Sequence, residues 1–213
     1  MSWIHRPVVT AGGRRRRRPY GRGSAGRERG MITMRFFTGL GDDGTTDLLG
    51  ARVAKDDPRI DVLGALDEVS SAIGLARSMA LDGRIGEGLV AVQRDLYRIM
   101  AELAFTSDLR PASFDFSADR VEWLGDETDS LAATVELPRE FILPGESSPG
   151  AALDVARSVT RRAERQVVAL VHAGQVVNPT ILGYLNRLSS LLFIAARVED
   201  RAAGADLKRA KAR

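Results

Sequence analysis

The chain has 213 residues and a hydrophobic content of 44%, which is enough for one compact domain with a core. It contains no Cys and only two His, which excludes disulfides, Cys-ligated metal sites and thiol nucleophiles and argues against a His-based catalytic triad. Any chemistry therefore has to use Asp, Glu, Arg, Lys, Ser or Thr. The net charge of +3 would suit a nucleic-acid-binding protein only if the basic residues belonged to the folded part.

The positive charge is concentrated at the N-terminus. Residues 1–30 contain nine Arg and one Glu and carry +8, so residues 31–213 carry −5. Because residues 1–34 are rich in Gly and Arg and have no apolar periodicity, we predict that they form a disordered arginine-rich tail. Such a tail suits nuclear import or nucleic-acid contact, or is a segment that precedes a start at Met31 or Met34. Nucleic acid is therefore not an expected partner of the folded part.

The arginine-rich tail lacks the features of a targeting signal. No apolar stretch follows the arginines, as a secretory or twin-arginine signal would require, and its glycines and Pro19 oppose the amphipathic helix of a transit peptide. No run of about eighteen uninterrupted apolar residues occurs in the chain, so we predict no membrane span and a cytoplasmic location.

From residue 58 onward the apolar residues recur at helical spacing, and short turn signals separate the periodic segments. We predict an all-α five-helix bundle over residues 58–203, preceded by a glycine-rich segment at 35–57 and followed by a basic tail at 204–213. The expected helices cover residues 58–79, 86–107, a third stretch after an N-cap at Ser117 that ends before Pro138, 149–172, and a fifth from an N-cap at Asn178 to about Arg201. Short loops should make neighbouring helices antiparallel.

The fourth helix has two distinct faces. One is apolar and is expected to face the core; it comprises Ala152, Val155, Ala156, Val159, Ala163, Val167 and Leu170. The opposite face places Arg157, Arg161 and Glu164 together. These charges belong either to an ordinary solvated face or to a site that presents an arginine pair to a polyanion or to a neighbouring subunit.

The segment before the bundle contains the glycines of two nucleotide-binding motifs without their context. Gly39, Gly41 and Gly44 match Gly-x-Gly-x-x-Gly, but no βαβ unit follows, which excludes a Rossmann site. Threonines stand where the Lys-Ser/Thr of a phosphate-binding P-loop belongs, and no protein-kinase motifs occur. What remains is a loop whose backbone amides can approach a phosphate, with Lys55 or Arg52 to neutralise it.

Four ordered blocks resemble the PduO-type ATP:cob(I)alamin adenosyltransferases. They are Thr-Gly-Leu-Gly-Asp-Asp-Gly-Thr-Thr at 38–46, the Arg-Val-x-Lys-Asp-Asp-Pro-Arg-Ile segment and its continuation to Asp-Glu at 52–68, Phe-Ile-Leu-Pro-Gly and the arginine-rich helix at 141–165, and Tyr-Leu-Asn-Arg-Leu-Ser at 184–189. The resemblance spans residues 36–203. It implies a five-helix bundle assembled as a homotrimer, with ATP and a corrinoid such as cobalamin bound where subunits meet, and with Mg²⁺ as a cofactor.

The resemblance also implies the roles of particular residues. The ATP-binding set comprises Thr38, Gly39, Gly41, Asp42, Gly44, Thr45, Thr46, Lys55, Arg161, Glu164 and Asn186. Asp67 matches an acid that pairs across the subunit interface with Arg157, and Phe141 matches the aromatic that crowds the lower face of the corrin and displaces its axial base. In the implied reaction the reduced cobalt attacks the 5′ carbon of ATP and triphosphate leaves. Because the nucleophile belongs to the corrinoid, the absence of Cys and the scarcity of His do not argue against catalysis.

Three segments, with four residues between them, depart from the family's pattern. Gly39 and Leu40 stand where many members have Arg and Thr, Glu146 replaces the second Gly of Leu-Pro-Gly-Gly, and Ser190 replaces an acid. These departures keep a second function open, a bundle that binds ATP or adenosylcobalamin for delivery or sensing without making it. For the enzyme, we expect a reductase as electron donor and an adenosylcobalamin-dependent enzyme as a possible recipient. The preferred corrinoid and the pathway stay open.

Overall fold

The structure is a computed structural model and describes residues 39–105, 110–137, 140–176 and 178–211. It contains a β-hairpin, five α-helices and one short 3₁₀ helix. The elements are β1 (Thr45–Leu48), β2 (Ala51–Ala54), α1 (Pro58–Met79), α2 (Gly83–Ala104), the 3₁₀ helix (Ala112–Phe114), α3 (Asp119–Ala132), α4 (Ser148–His172) and α5 (Thr180–Ala202). The predicted five-helix bundle is confirmed; the predicted disordered tail at 1–34 lies outside the described residues.

Helix α4 is the central helix of the bundle. It packs against both α1 and α5, while α2 lies against the outer side of α1 and α3 against the outer side of α5. The interior is filled by leucine, isoleucine, valine and alanine side chains from all five helices. An element that packs on two sides must bury a wide arc of its surface.

Side chains cap most of the helices. Asp57 accepts a hydrogen bond from the Arg59 amide at the start of α1, where Pro58 takes the first helical position. Ser147 accepts from the Gly150 amide at the start of α4 (3.0 Å). Asn178 Oδ1 accepts from the Thr180 amide at the start of α5 (3.0 Å), although Pro179 occupies the cap position that the sequence predicts for Asn178.

Two boundary predictions are wrong. Helix α2 starts three residues earlier than expected because Asp82 caps it at the Arg84 amide, and it ends at Ala104 because the next residue leaves the helix and pairs with Leu49 of the hairpin. Ser117 does not cap α3: Ala118 occupies the cap position and no side chain bonds the first turn. Helix start signals are ambiguous by a few residues when several small polar residues stand in succession.

One face prediction for α4 is also wrong. Val155 is 55% exposed, whereas Leu153 is 1% exposed and the charged Asp154 only 5%. The cause is the central position of α4, because packing against α5 rotates the buried arc of its first half away from Val155. The other apolar residues predicted for this face, from Ala152 to Leu170, are buried or packed against the core.

The hairpin is the element that helical periodicity does not reveal. Its strands pair from Thr45 opposite Ala54 to Leu48 opposite Ala51, and Gly50 occupies the turn with a φ of 112°. The hairpin docks on the end of α2, where the Leu49 amide donates to the Ala104 carbonyl (2.9 Å).

A buried polar network ties α2, α3 and α5 together. Arg120 donates two hydrogen bonds from Nε and one from Nη2 to the Asp95 carboxylate, and the Tyr184 hydroxyl donates to the same carboxylate (2.9 Å). Burial, and secondly the charge of Asp95, raises the pKa of the Tyr184 hydroxyl far above its ordinary value. Hydrogen bonding to Asp95 likewise raises the pKa of Arg120.

A second buried acid closes the connection between α1 and α2. The Glu199 carboxylate accepts from the Leu81 amide (2.9 Å) and from the Asp82 amide (3.2 Å). Glu199 is 0% exposed, so these bonds replace the water that the carboxylate gives up on burial.

Helix α5 is long and apolar enough, by length and composition, to be compared with a membrane span. In its most apolar window, however, 67% of the residues are buried inside the bundle. This is the burial expected of a core helix, because its apolar side chains are already covered by α3 and α4.

Candidate functional site

The glycine-rich loop and Lys55 form one compact unit. Lys55 follows β2, and its ammonium folds back to donate to the Gly41 carbonyl (2.7 Å) while its backbone amide donates to the Gly44 carbonyl (2.9 Å). A side chain at position 41 would place its Cβ 3.1 Å from the Thr45 carbonyl oxygen and 3.2 Å from Lys55 Nζ. A side chain at position 41 would therefore crowd this close approach, and Gly44 has a φ of 80°, which favours glycine.

Arg52 and Asp43 hold this loop in place. Asp43 accepts from both the amide (3.0 Å) and the hydroxyl (2.6 Å) of Thr45, and these two bonds, with a smaller contribution from Arg52, lower the pKa of the Asp43 carboxyl. Arg52 pairs with Asp47 (3.0 Å) and Asp43 (3.5 Å) and donates to the Leu40 carbonyl. Its charge is already matched by acids, so Lys55 is the better cation for a phosphate.

A second group of polar side chains lies where α4 meets α5. Asn186 on α5 donates to the Glu164 carboxylate on α4 (3.2 Å), and the guanidinium of Arg161 lies 4.0 Å from the other Glu164 oxygen. The side chain of Arg161 is 53% exposed and that of Glu164 only 17%. The group thus combines an exposed cation with a sheltered carboxylate and amide.

Arg157 is held by a buried acid on its own helix. Its Nε donates to Asp154 Oδ1 (2.9 Å), while the other Asp154 oxygen accepts from the fully buried Arg197 of α5 (2.6 Å). Arg197 also lies 3.1 Å from Asp200. Both Nη atoms of Arg157 are without a hydrogen-bond partner among the described residues. The outer edge of the guanidinium is therefore free to bind an anion or a neighbouring subunit.

This network is packed tightly against the start of α4. The Ser147 hydroxyl donates to Asp200 Oδ1 (2.6 Å) and so links the cap of α4 to α5. A Cβ at Gly150 would lie 2.1 Å from the same oxygen, which no side chain can satisfy without displacing Asp200. Asp200 Oδ2 and Arg197 Nε are both buried and make no hydrogen bond in the described part of the chain.

Phe141 stands alone in the loop before α4. Its side chain is 90% exposed, the highest value among the large apolar residues described. Transferring such a ring into an apolar environment is favourable by roughly 1.5–3 kcal/mol, so the ring is available to a flat apolar partner. Glu146, a few residues later, forms an ion pair with Lys208 from the end of the chain (3.1 Å).

The comparisons with known proteins agree on one family. The sequence profile of the family described as cobalamin adenosyltransferase matches residues 36–199. This chain belongs to the cobalamin adenosyltransferase family. It is 37% identical over 176 residues to the corrinoid adenosyltransferase of Bacillus subtilis (strain 168), covering 80% of this chain and 89% of that one. It is 40% identical over 172 residues to the cobalamin adenosyltransferase of Cupriavidus metallidurans, with 80% and 90% covered.

A solved structure of the family shows the same fold. A variant of the PduO-type ATP:corrinoid adenosyltransferase from Lactobacillus reuteri, complexed with cobalamin and ATP, superposes with a TM-score of 0.78 at 31% sequence identity. The match covers 83% of this chain and 97% of that one. The resemblance identified from the four sequence blocks is therefore confirmed.

Within this adenosyltransferase chain, the predicted site residues fall into three groups. Gly39, Gly41, Asp42, Gly44, Thr45, Thr46 and Lys55 lie in or beside the hairpin loop; Arg157, Arg161, Glu164 and Asn186 lie on α4 and α5; Phe141 lies in the loop between α3 and α4. Thr38 lies outside the described residues. No ion pair among the described residues joins the hairpin group to the α4–α5 group.

Asp67 and Arg157 are not paired within one adenosyltransferase chain. Asp67 is partly buried on α1 and makes no hydrogen bond or ion pair with the described residues, while its neighbour Glu68 pairs with Arg162 of α4. Arg157 pairs with Asp154 instead. The expected pairing of Asp67 with Arg157 across an interface thus stays a prediction.

Sequence reasoning missed the residues beneath the α4 face. Asp154, Arg197 and Asp200 were not among the predicted site residues, because charged side chains are ordinarily assigned to the surface. A signal was present: Arg197 and Asp200 interrupt the long apolar helix α5, and Asp154 stands three residues before Arg157. Asp43 was missed for a different reason, since its role depends on how the hairpin turns.

Proposed function

We propose that this chain is an ATP:corrinoid adenosyltransferase. The electron pair of a reduced corrinoid cobalt attacks the 5′ carbon of ATP, a cobalt–carbon bond forms, the bond from that carbon to the phosphate oxygen breaks, and triphosphate leaves. One observation carries the proposal: the family match, over residues 36–199, includes both the Lys55 hairpin and the Arg161–Glu164–Asn186 group, and the structure shows each as a formed polar cluster. The protein then supplies orientation and charge stabilisation, while the corrinoid supplies the nucleophile.

The hairpin is suited to the triphosphate. An ammonium has three donors, and Lys55 uses one on the Gly41 carbonyl, so two remain for phosphate oxygens. Gly39, Gly41 and Gly44 keep the backbone free of side chains on the approach, and the hydroxyl of Thr46 is a further donor. The Thr45 hydroxyl is occupied by Asp43, so Thr45 contributes through its place in the loop.

The α4–α5 face is suited to the remainder of the nucleotide and to the developing charge. Arg161 and the free edge of Arg157 offer cationic donors for the leaving triphosphate. Glu164 and Asn186 offer an acceptor and a donor that match ribose hydroxyls or the edge of adenine better than phosphate. Arg157 is the better oriented of the two arginines because Asp154 fixes its Nε.

Phe141 is suited to the corrinoid. An exposed apolar ring placed under the corrin excludes water and an axial base from that face of the cobalt. A cobalt without an axial ligand is easier to reduce to the nucleophilic state, so the ring favours the chemistry without reacting itself.

Mg²⁺ is part of this proposal as a companion of ATP. No group of three or more Asp, Glu or His suited to a metal occurs among the described residues. This suits Mg²⁺, which is commonly bound by substrate phosphates, its own waters and one or two carboxylates, and not by an all-protein cage. When bound, Mg²⁺ would neutralise part of the triphosphate charge, and Asp42 of the loop is an exposed carboxylate within the same segment.

We further propose that the active sites lie between subunits of a homotrimer in the cytoplasm. Support comes from Asp67 and the outer edge of Arg157, which are without partners in the described part of one chain, and from the exposed Val155 on α4. Arg157→Ala should therefore reduce turnover and weaken assembly more than loss of a surface arginine does. Sedimentation and turnover of this variant test the point; a change in stability within about 0.5 kcal/mol with normal turnover and assembly would contradict it.

The decisive experiment is an anaerobic titration of the reduced corrinoid with ATP and Mg²⁺ in the presence of the protein, followed by absorbance. Conversion to the adenosylated product supports the enzyme, and an unchanged spectrum with ATP in excess refutes it. Tight corrinoid binding without turnover would support the delivery or sensing function instead. Adding a candidate reductase and an adenosylcobalamin-dependent enzyme to the same assay tests those expected partners.

A further inference from the structure

The chain does not end freely after α5. Gly204, with a φ of 68°, ends the helix, and residues 205–210, here called the C-terminal strap, return to the loop that carries Phe141. The Leu143 amide donates to the Lys208 carbonyl (2.8 Å), the Ala210 amide donates to the Phe141 carbonyl (2.8 Å), and Ile142 pairs with Arg209 in antiparallel register. The strap thus pairs with the loop beside Phe141 through one isolated antiparallel β-bridge.

Charged side chains reinforce this pairing on both sides of Phe141. Lys208 pairs with Glu146 (3.1 Å) and Arg209 pairs with Glu140 (3.6 Å). The side chain of Glu146 is 13% exposed although that of Lys208 is 72% exposed, so the carboxylate is the sheltered member of the pair. Two bases of the strap therefore face two acids of the loop, and the carboxylate that departs from the family's pattern finds its partner here.

The loop has no comparable support of its own. The hydrogen bonds and ion pairs of residues 140–146 in the described structure go to residues 208–210 of the strap. The ring of Phe141 is 90% exposed and is not packed into the bundle. An aromatic ring on an otherwise unsupported loop would lose conformational entropy each time it met a flat ligand, and a fixed backbone removes part of that cost.

We propose that the C-terminal strap is a positioning element of the corrinoid site. Lys208 and Glu146 are its principal positioning residues, because their ion pair joins the strap to the loop at a carboxylate that is sheltered from solvent. The strap fixes the backbone of Phe141, so that the ring meets the corrin already oriented. This inference rests on the proposed function, in which Phe141 lies under the corrin.

The test uses charge reversal in the full-length protein. Lys208→Glu places two carboxylates together, Glu146→Lys places two ammonium groups together, and the double variant restores an ion pair of opposite sense. Each single variant is expected to raise the KM for the corrinoid by roughly three- to tenfold, while the KM for ATP stays within about twofold. When the unreduced corrinoid is bound, a smaller fraction of it should have lost its axial base than in the wild type. The double variant should return both readouts to near the wild-type values. Lys211→Glu, the same charge change just beyond the strap, is the matched control and should change neither.

Amide hydrogen exchange separates this inference from the proposed function. In the protein without corrinoid, the amides of Leu143 and Ala210 should be protected in the wild type and in the double variant, and exposed in the single variants. If the wild type shows no turnover, the proposed function fails whatever the strap does. If the wild type turns over and the amide protection responds as expected, but the corrinoid KM and axial-base fraction do not follow it, the strap is not a positioning element. Unprotected amides in the wild type would also overturn the inference.

Discussion

The hairpin and the α4 face each present a cation, but they hold it by different means. Lys55 is held by backbone carbonyls of an exposed loop, which Asp43 and Arg52 brace at the surface. Arg157 is held by Asp154, which is 5% exposed and shares its charge with the buried Arg197. Because buried charges are costly to leave unpaired and surface charges are not, the position of Arg157 is coupled to folding and the position of Lys55 is not.

The strongest challenge to this comparison is Asp154→Ala. The substitution leaves Arg197 with Asp200 as its remaining acid and frees Arg157, so the free energy of unfolding should fall by about 3–5 kcal/mol, and turnover per folded molecule should fall as well. Urea unfolding measures the first effect, and turnover under conditions where the protein is folded measures the second. Asp154→Asn, which preserves volume, serves if the alanine variant does not fold.

Asp95→Ala is the matched control. It removes an equally buried acid from Arg120 and Tyr184, at the other network, and should cost a similar free energy of unfolding while turnover per folded molecule stays normal. If Asp154→Ala also kept normal turnover per folded molecule, the network beneath Arg157 would be scaffold only.

Lys55→Ala should have the opposite effect to Asp95→Ala, since it should lower activity and leave stability unchanged. Loss of the ammonium is expected to reduce kcat/KM for ATP about 100-fold, equivalent to about 2.7 kcal/mol, while the free energy of unfolding changes by no more than about 0.5 kcal/mol. Steady-state kinetics and urea unfolding of the same preparation measure both. Arg94→Ala removes an exposed cation of α2 that has no ion pair among the described residues and should change neither.

Gly41→Ala tests the fit of the loop in a milder way. The added methyl group would crowd Lys55 Nζ and the Thr45 carbonyl, so kcat/KM for ATP should fall roughly tenfold, equivalent to about 1.4 kcal/mol. Gly88→Ala on α2 meets no atom within 4 Å. It should leave turnover unchanged and stabilise the helix by up to about 1 kcal/mol. Equal kinetics for the two variants would mean that the loop accommodates the added methyl group at position 41 without displacing Lys55.

The smallest expected effect is the titration of Asp43. Its folded pKa is lowered, first by the Thr45 hydroxyl and amide, so the ionised form is favoured in the folded state. The corresponding stabilisation is present above the unfolded pKa and is lost as the pH falls through the lower folded pKa. Carboxyl NMR should give a midpoint below the ordinary value of 3.8, and Thr45→Val should move that midpoint upward. A midpoint at the ordinary value would show that Asp43 does not help to hold the glycine-rich loop in place.

The helices were predictable because their signals are local. Pro58 after Asp57, the glycine at 174 and the Asn178–Pro179 pair mark ends that depend on a few neighbouring residues. The hairpin was not predictable in this way, since strands of four residues between glycines show too little alternation. The buried position of Asp154 and the exposed position of Val155 follow from where α5 packs, which no local pattern contains.

The site residues also divide into those that local sequence places and those that depend on long-range packing. Gly41 and Lys55 are fourteen positions apart, and one hairpin brings them together, so the order of motifs in the sequence was enough to pair them. The partner of Glu146 is Lys208, sixty-two positions later, and it is reached only after α4 and α5 have been traversed. The negative charge that Glu146 introduces in place of a glycine is therefore neutralised by a residue that no local pattern places beside it.

The Glu199 carboxylate at the α1–α2 connection has a consequence for the order of folding. The amides of Leu81 and Asp82 are hydrogen-bonded by Glu199, a residue that is synthesised more than one hundred positions later. A nascent chain that already contains α1 and α2 still lacks the group that closes the turn between them. We therefore expect the connection between α1 and α2 to be completed only when α5 docks, and a ribosome-bound chain without α5 should leave this turn open to proteases.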